Sequence, residues 1–266
     1  MKLAALIGTA QRDWEDLRSF ALEAERIGVD SVWSAEFNGH DAFTPLAFIA
    51  GQTSRLRLGT GVVTVGSRSP TMLAMSAVSL ASMSGGRFML GLGANSREAL
   101  ENWHGQPFPP ASRNLIETTE IVRKVAGGDL LTYTGRVYSL PKTPGQDLGM
   151  EPGLAQTFPI YFASLSPRSL EATGAVADGW VGGASFGPEL AHAFWGSIRE
   201  GASKTGRSLA DFDFMAPAFL VPDSERALAM VKPFLAGQLG KQPVDQRPHR
   251  AEPLWMLGHL ASSRSQ

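Results

Sequence analysis

Cysteine is absent from the 266 residues, which excludes a disulfide framework, a thiolate nucleophile and any cysteine-ligated zinc or iron–sulfur centre. Redox chemistry in this chain would need a bound organic cofactor. An excess of either charge is also missing: 24 lysines and arginines face 25 aspartates and glutamates, for a formal net charge of −1. That balance offers no electrostatic attraction to a nucleic-acid backbone or an anionic membrane, so the expected partner is a small molecule. The five histidines (His40, His104, His192, His249, His259) form neither an H-E-x-x-H pattern nor a close pair, and no metal site is expected.

Long apolar runs are lacking too. The opening MKLAALIGTA carries a lysine and then an apolar run too short for a secretory core, and it leads into a charged helical pattern, so it reads as a first strand. No charge occurs between Arg68 and Arg87, nominally room for a membrane helix. Ser69, Thr71, Ser76, Ser79, Ser82 and Ser84 make that stretch polar, and Pro70 and Gly85-Gly86 bracket it. A buried helix of small residues is expected instead, in a soluble, cytoplasmic protein.

What is present is 43% hydrophobic and 18% charged residues, enough to fold around a large core. Short apolar runs alternate with helical patterns, the mark of strand–helix units and a parallel sheet. The expected strands are Leu3 to Ile7, Ser31 to Trp33, Leu56 to Val63, Phe88 to Leu92, Pro159 to Ala163, Gly179 to Gly182 and Phe214 to Val221. Trp14, Leu17, Ala21, Ala24 and Ile27 describe one helix face, with Gly28 as the stop. Thr44-Pro45, Ser69-Pro70 and Ser166-Pro167 each join a capping hydroxyl to a proline suited to the first helical position. Further helices are expected over Ser112 to Val125, Pro188 to Lys204 and Asp223 to Ala236. Thr134-Gly135 divides a hairpin over Asp129 to Leu140, and Pro141 to Gly153 reads as a loop insertion.

This order predicts an α/β fold, a (β/α)₈ barrel of the TIM type over residues 1–237 that lacks a regular eighth βα unit. Residues 238–266, with Pro243, Pro248 and Pro253, form an irregular tail. A doubly wound open sheet is the runner-up.

Barrel loops after strands gather at one face, where Glu36, His40 and Asp41 could supply an acid or base. A solvated loop with capping residues is the alternative there. Gly59 and Gly61 sit within a β-branched strand and mark either a bulge facing a ligand or tight helix packing. GLGANS over Gly91 to Ser96 resembles a dinucleotide fingerprint, though Ser96 stands at the third glycine position. Ser164, Leu165 and Ser166 lead into a helix whose N-terminus, with Arg168 nearby, suits a phosphate. Gly182-Gly183 on the neighbouring loop would permit close backbone approach.

The stretch from Gly28 to Gly93, NWHGQPFP at Asn102 to Pro109 and ADGWVGG at Ala177 to Gly183 resemble the luciferase-like flavin and deazaflavin oxidoreductases. FTPLAFIA and TSRLRLGTGVV look most like the branch that uses coenzyme F420, with FMN the alternative. The resemblance implies a barrel, usually dimeric through its early helices, with a flavin-like ring at the strand C-termini. It implies a non-proline cis peptide at Gly61-Val62, flanked by Thr60, and a phosphate held by Ser164 to Ser166 and Gly182, Gly183 and Ala184. Many relatives carry Asp-His after the second strand where this chain has Glu36-Phe37, so Glu36 or His40 would take the acid's place, and Glu98 lies near a proton donor of some relatives. The expected activity is hydride transfer between F420 and a small organic substrate. A two-component monooxygenase using reduced FMN and a non-catalytic flavin-binding barrel are the rivals.

Overall fold

The computed structural model describes residues 2–7, 13–182 and 188–215, together with Glu225. In chain order these form β1 (Ala4–Ile7), α1 (Trp14–Arg26), β2 (Ser31–Ser34), α2 (Phe43–Ala50), β3 (Arg57–Thr60), β4 (Val63–Val65), α3 (Pro70–Met83) and β5 (Phe88–Ala94). A π-helical turn (Ala99–Trp103), α4 (Ala111–Ala126), β6 (Tyr133–Thr134), β7 (Ser139–Leu140), β8 (Ile160–Ala163), α5 (Pro167–Val176), β9 (Gly179–Val181), α6 (Pro188–Lys204) and β10 (Asp213–Met215) follow. The main sheet runs β1-β2-β3-β5-β8-β9-β10 with every pairing parallel, and β4 continues the line of β3 against β5. Strand order following chain order, with helices between, is the barrel arrangement. Lys2, two residues before β1, makes an exposed ion pair with β10, its Nζ 3.8 Å from Asp213 Oδ2. The expected helix over Asp223 to Ala236, the end of the expected strand to Val221 and the tail 238–266 lie outside the described residues, as do Gly183 and Ala184.

Alternation along the strands sorts the core into two layers. Val32, Leu58, Phe88, Leu90, Leu92, Ile160 and Phe162 face the helices in one large cluster with Leu46, Ile49, Leu73 and Ile121; each fully buried side chain of this kind contributes about 1.5–3 kcal/mol. Trp33, Met89, Tyr161 and Val181 fill the inside of the curved sheet. Small residues alternate with these large ones. A Cβ at Gly59 would lie 2.4 Å from the Trp33 ring, and one at Gly179 would lie 2.4 Å from Tyr161. Gly59 therefore makes room for an indole rather than for a helix.

Ser69 and Ser166 cap their helices as expected, with Pro70 and Pro167 in the first turn. The third such pair is corrected: α2 begins at Phe43 without a side-chain bond from its cap residue, and Asp41 Oδ1 instead accepts from the N–H groups of Phe43 (2.8 Å) and Thr44 (3.0 Å). A carboxylate three residues upstream out-competes the Thr44 hydroxyl because a charged acceptor makes the stronger bond. The hairpin is also corrected. Tyr133 pairs with Leu140 and Thr134 with Ser139, so residues 135–138 form the loop. The buried Glu117 carboxylate of α4 takes the N–H groups of Arg136, Val137 and Tyr138 at 2.8, 2.8 and 2.9 Å, which bends those residues around itself and withdraws them from strand pairing.

Candidate functional site

The C-terminal ends of the parallel strands form one face. Its central feature is the break between β3 and β4, where one continuous strand was expected. β3 stays in register with β5 through Gly59 opposite Met89, and pairing resumes with Val63 opposite Leu92. Thr60, Gly61 and Val62 thus face only Leu90 and Gly91, a bulge of one extra residue. The Gly61-Val62 peptide is cis, the geometry the resemblance implied at this bond. Thr60 is fully buried, and its hydroxyl donates to the Gly91 carbonyl (2.9 Å) and accepts from the Gly91 N–H (2.8 Å). It bridges the gap in the ladder and does not reach the mouth.

A Cβ at Gly91 would lie 1.9 Å from the Thr60 carbonyl oxygen, and one at Gly93 would lie 2.5 Å from Val62 Cγ2. These two positions of the GLGANS segment are small because the bulge presses on them, which removes the dinucleotide reading. The Val62 side chain, with Ala163 and Met215, forms a half-buried apolar layer over Trp33, Met89, Tyr161 and Val181.

Beside the bulge lies a charged cluster. Glu36 donates its backbone N–H to the Val62 carbonyl at 3.2 Å, and Gly61 donates to the Ser34 carbonyl at 2.7 Å. The Glu36 side chain is 10% exposed; Oε1 takes an Arg68 N–H at 2.6 Å and Oε2 accepts from the Ala42 N–H at 3.3 Å. Arg68 also lies 3.9 Å from Asp41 Oδ1 and over the Phe43 ring, 5.6 Å from its centroid. Burial pushes the Asp41 carboxyl up, but bonds from the Thr44 hydroxyl and the Thr44 and Phe43 backbones, with the Arg68 charge, outweigh it and hold the group below the usual range. A polar thread continues from Glu36 through Ser67 and Thr64 to Asn95 in the loop after β5, with contacts of 3.5, 3.1 and 3.4 Å. Sequence reasoning missed Arg68, Ser67, Thr64 and Asn95. The signal for Arg68 was its place as the last charge before a long uncharged stretch.

The other expected acids sit apart from that pair. His40 lies against Trp14, ring centroids 5.3 Å apart. Glu98 is exposed at the start of the π-helical turn, and its carboxylate has no hydrogen bond or ion pair among the described residues. No group of three or more His, Asp or Glu side chains gathers as a metal site among the described residues, and no described helix is long and apolar enough to cross a membrane.

Across the face, the loop after β8 is built tightly. Ser164 is buried, its hydroxyl bonded to that of Thr173 at 2.7 Å and its carbonyl to Trp180 Nε1 at 2.9 Å. Ser166 makes a capping box with Ser169, so both hydroxyls are committed within the protein and the Leu165 side chain points outward, 44% exposed. Gly182 is held by its N–H to the Met215 carbonyl at 2.8 Å. Arg168 is exposed in the first turn of α5 and forms no ion pair among the described residues.

Residues 1–260 match the family model described as luciferase-like monooxygenase. Over 248 residues the chain is 34% identical to a Mycobacterium tuberculosis protein named as a coenzyme F420-dependent oxidoreductase, covering 89% of this chain and 71% of that one. It is 29% identical over 217 residues to the 5,10-methylenetetrahydromethanopterin reductase of Archaeoglobus fulgidus, covering 79% of this chain and 63% of the relative. The coenzyme F420 dependent tetrahydromethanopterin reductase structure from Methanopyrus kandleri shares the fold at a TM-score of 0.77 and 23% identity, covering 91% of this chain and 73% of that chain. The chain spans about two thirds of the length of the curated relatives it matches.

Proposed function

The chain belongs to the luciferase-like monooxygenase family, and from that premise we propose that it is an F420-dependent oxidoreductase acting on a small organic substrate. The observation that carries the reading is the bulge at Thr60 to Val62, which sets an apolar bed of Val62, Ala163 and Met215 at the strand C-termini. Such a bed, with glycines at 91 and 93 beneath it, fits a flat tricyclic ring better than a polar or charged ligand. Val62 would support one face of the ring, and Arg168 with the N-terminus of α5 would attract a negatively charged side arm. Gly182 would flank that arm. When bound, the deazaflavin supplies a ring carbon that gives or takes a hydride.

The protein's own part is to hold the ring bed dry, orient the substrate and manage a proton. Glu36 is engaged by Arg68 and the α2 backbone, so Glu98, exposed after β5 and without a hydrogen bond or ion pair among the described residues, is the better-placed group for proton exchange with substrate. Titration of the purified full chain with F420 and with FMN, followed by fluorescence, tests the reading. Tighter binding of F420, with hydride transfer to a member of a substrate panel, is expected. Tighter binding of FMN would overturn the choice in favour of a two-component monooxygenase, and binding without turnover would favour a non-catalytic flavin-binding barrel.

A further inference from the structure

We infer that Arg68 is a positioning residue for the coenzyme bed: it acts on the Gly61-Val62 bulge through Glu36, without itself touching the ring. The inference rests on the functional reading above for its link to coenzyme, and on the geometry alone for its link to the bulge.

Three pieces of chain meet at this guanidinium. One arm pairs with Glu36 at 2.6 Å, the other faces Asp41 at 3.9 Å, and its plane lies over Phe43. Asp41 and Phe43 form the start of α2, and Arg68 itself immediately precedes Ser69, the cap of α3. The guanidinium side chain is 24% exposed against 10% for Glu36, so the pair is partly desolvated and its members depend on each other. Glu36 in turn gives its backbone N–H to the carbonyl of Val62, and Gly61 gives its own to Ser34, two residues before Glu36. The loop after β2 and the bulge are therefore laced by two backbone bonds, and the one side chain in that lacing that is anchored elsewhere is Glu36.

A compact ammonium in place of the guanidinium could not reach both carboxylates, because the two contacts use different arms of a planar fork. A neutral side chain would leave the Glu36 carboxylate half-buried beside Ser67 and the Ala42 N–H, with no cation. The carboxylate would then turn toward water, and the backbone N–H that holds Val62 would move with it. Val62 rests on Gly93 with no spare volume, so a shift of the bulge is transmitted to the bed instead of being absorbed below it.

The test uses the full chain as wild type, Arg68→Gln, Arg68→Lys, Glu36→Gln and the Gln/Gln double variant. Amide hydrogen exchange at Glu36 and Gly61 is compared with exchange at Asp178, whose N–H is bonded to the Ile160 carbonyl at 2.7 Å where the strands begin. Arg68→Gln should speed exchange at Glu36 and Gly61 about tenfold more than at Asp178, with Arg68→Lys intermediate. The same variant should weaken F420 binding about tenfold, and the double variant should be no weaker than Glu36→Gln alone, since residues acting as one unit are not additive. Equal acceleration at all three amides would overturn the inference, reducing Arg68 to a general contributor to stability; additive losses in binding would also overturn it. Arg68→Lys keeps the test decisive should the neutral variant fail to fold. If the wild type binds no F420, the functional reading falls, and the exchange pattern still decides the role of Arg68.

Discussion

The two ends of the parallel sheet differ in how much of their charge is left unpaired. At the end where the strands begin, three charged side chains are each bonded several times over. Arg87 donates to the carbonyls of Ala50, Thr53, Leu56 and Ser84 and to the Thr53 hydroxyl at 2.6–3.1 Å, closing the C-termini of α2 and α3. Asp178 takes the Ile160 N–H and two arginines, Arg123 at 2.8 Å and Arg207 at 3.4 Å. Glu25 accepts from the N–H groups of Ser54, Arg55 and Leu56. At the end where the strands finish, Glu98 and Arg168 have no such partners among the described residues, and the strand break leaves apolar surface half open. In barrels of this kind the first end holds the fold and the second is where chemistry resides. The ADGW segment, part of the family resemblance, places Asp178 at the structural end.

The contrast is broken most forcefully at Arg87. Arg87→Ala would strand five acceptors around a vacated, partly buried site and should cost about 4 kcal/mol of stability. Urea unfolding would measure the loss, and the folded fraction should keep its F420 affinity within about twofold, because no contact of Arg87 reaches the mouth. A weakened affinity with unchanged stability would show that the two ends are not separable in this way. The mirror experiment is Arg168→Ala. Its side chain is exposed and makes no ion pair among the described residues, so the unfolding midpoint should hardly move, within about 0.5 kcal/mol. Affinity for F420 should fall about tenfold at low salt, and the gap between variant and wild type should narrow as salt screens the charge.

How much of this was legible in the sequence follows from the range of the interactions involved. Helix starts at Ser69-Pro70 and Ser166-Pro167 depend on adjacent residues only, and they could be read directly. Strand positions followed from local apolar runs, although β3 and β4 could not be separated, because the break is defined by register against β5, some thirty residues away. The glycines at 59 and 91 looked like ligand positions, whereas their neighbours in space are Trp33 and the Thr60 carbonyl. The Glu36–Arg68 pair spans 32 residues and has no local signature, so Glu36 read as a candidate acid or base or as part of a solvated loop. Asp41 displaced Thr44 as the helix anchor for a reason visible in chemistry but not in pattern: both are acceptors at plausible spacing, and the charged one prevails.

The smallest expected effect lies between the two ends, inside the sheet, at Tyr161. Its ring meets Trp33 edge to face with centroids 5.2 Å apart, and its hydroxyl donates to Asp213 Oδ2 at 2.9 Å. Burial, then the bond to Asp213 and that carboxylate's charge, push the phenol up to about 12 from an ordinary value of 10.0. A phenol raised in the folded state keeps its proton after the unfolded chain has lost it. Its contribution is therefore intact below pH 10 and is lost as pH climbs toward about 12. Tyr133, raised chiefly by burial and then by Glu120, and Tyr138, raised chiefly by burial, slope the same way. Tyr161→Phe should cost about 1 kcal/mol at neutral pH for the lost bond and should make the alkaline decline shallower without abolishing it. Thermal melts from pH 8 to 12 would show the two curves converging as pH rises. If they stayed parallel, the hydroxyl would be titrating alike in both states, and the inner layer would be wetter than its packing against Trp33 and Gly179 implies.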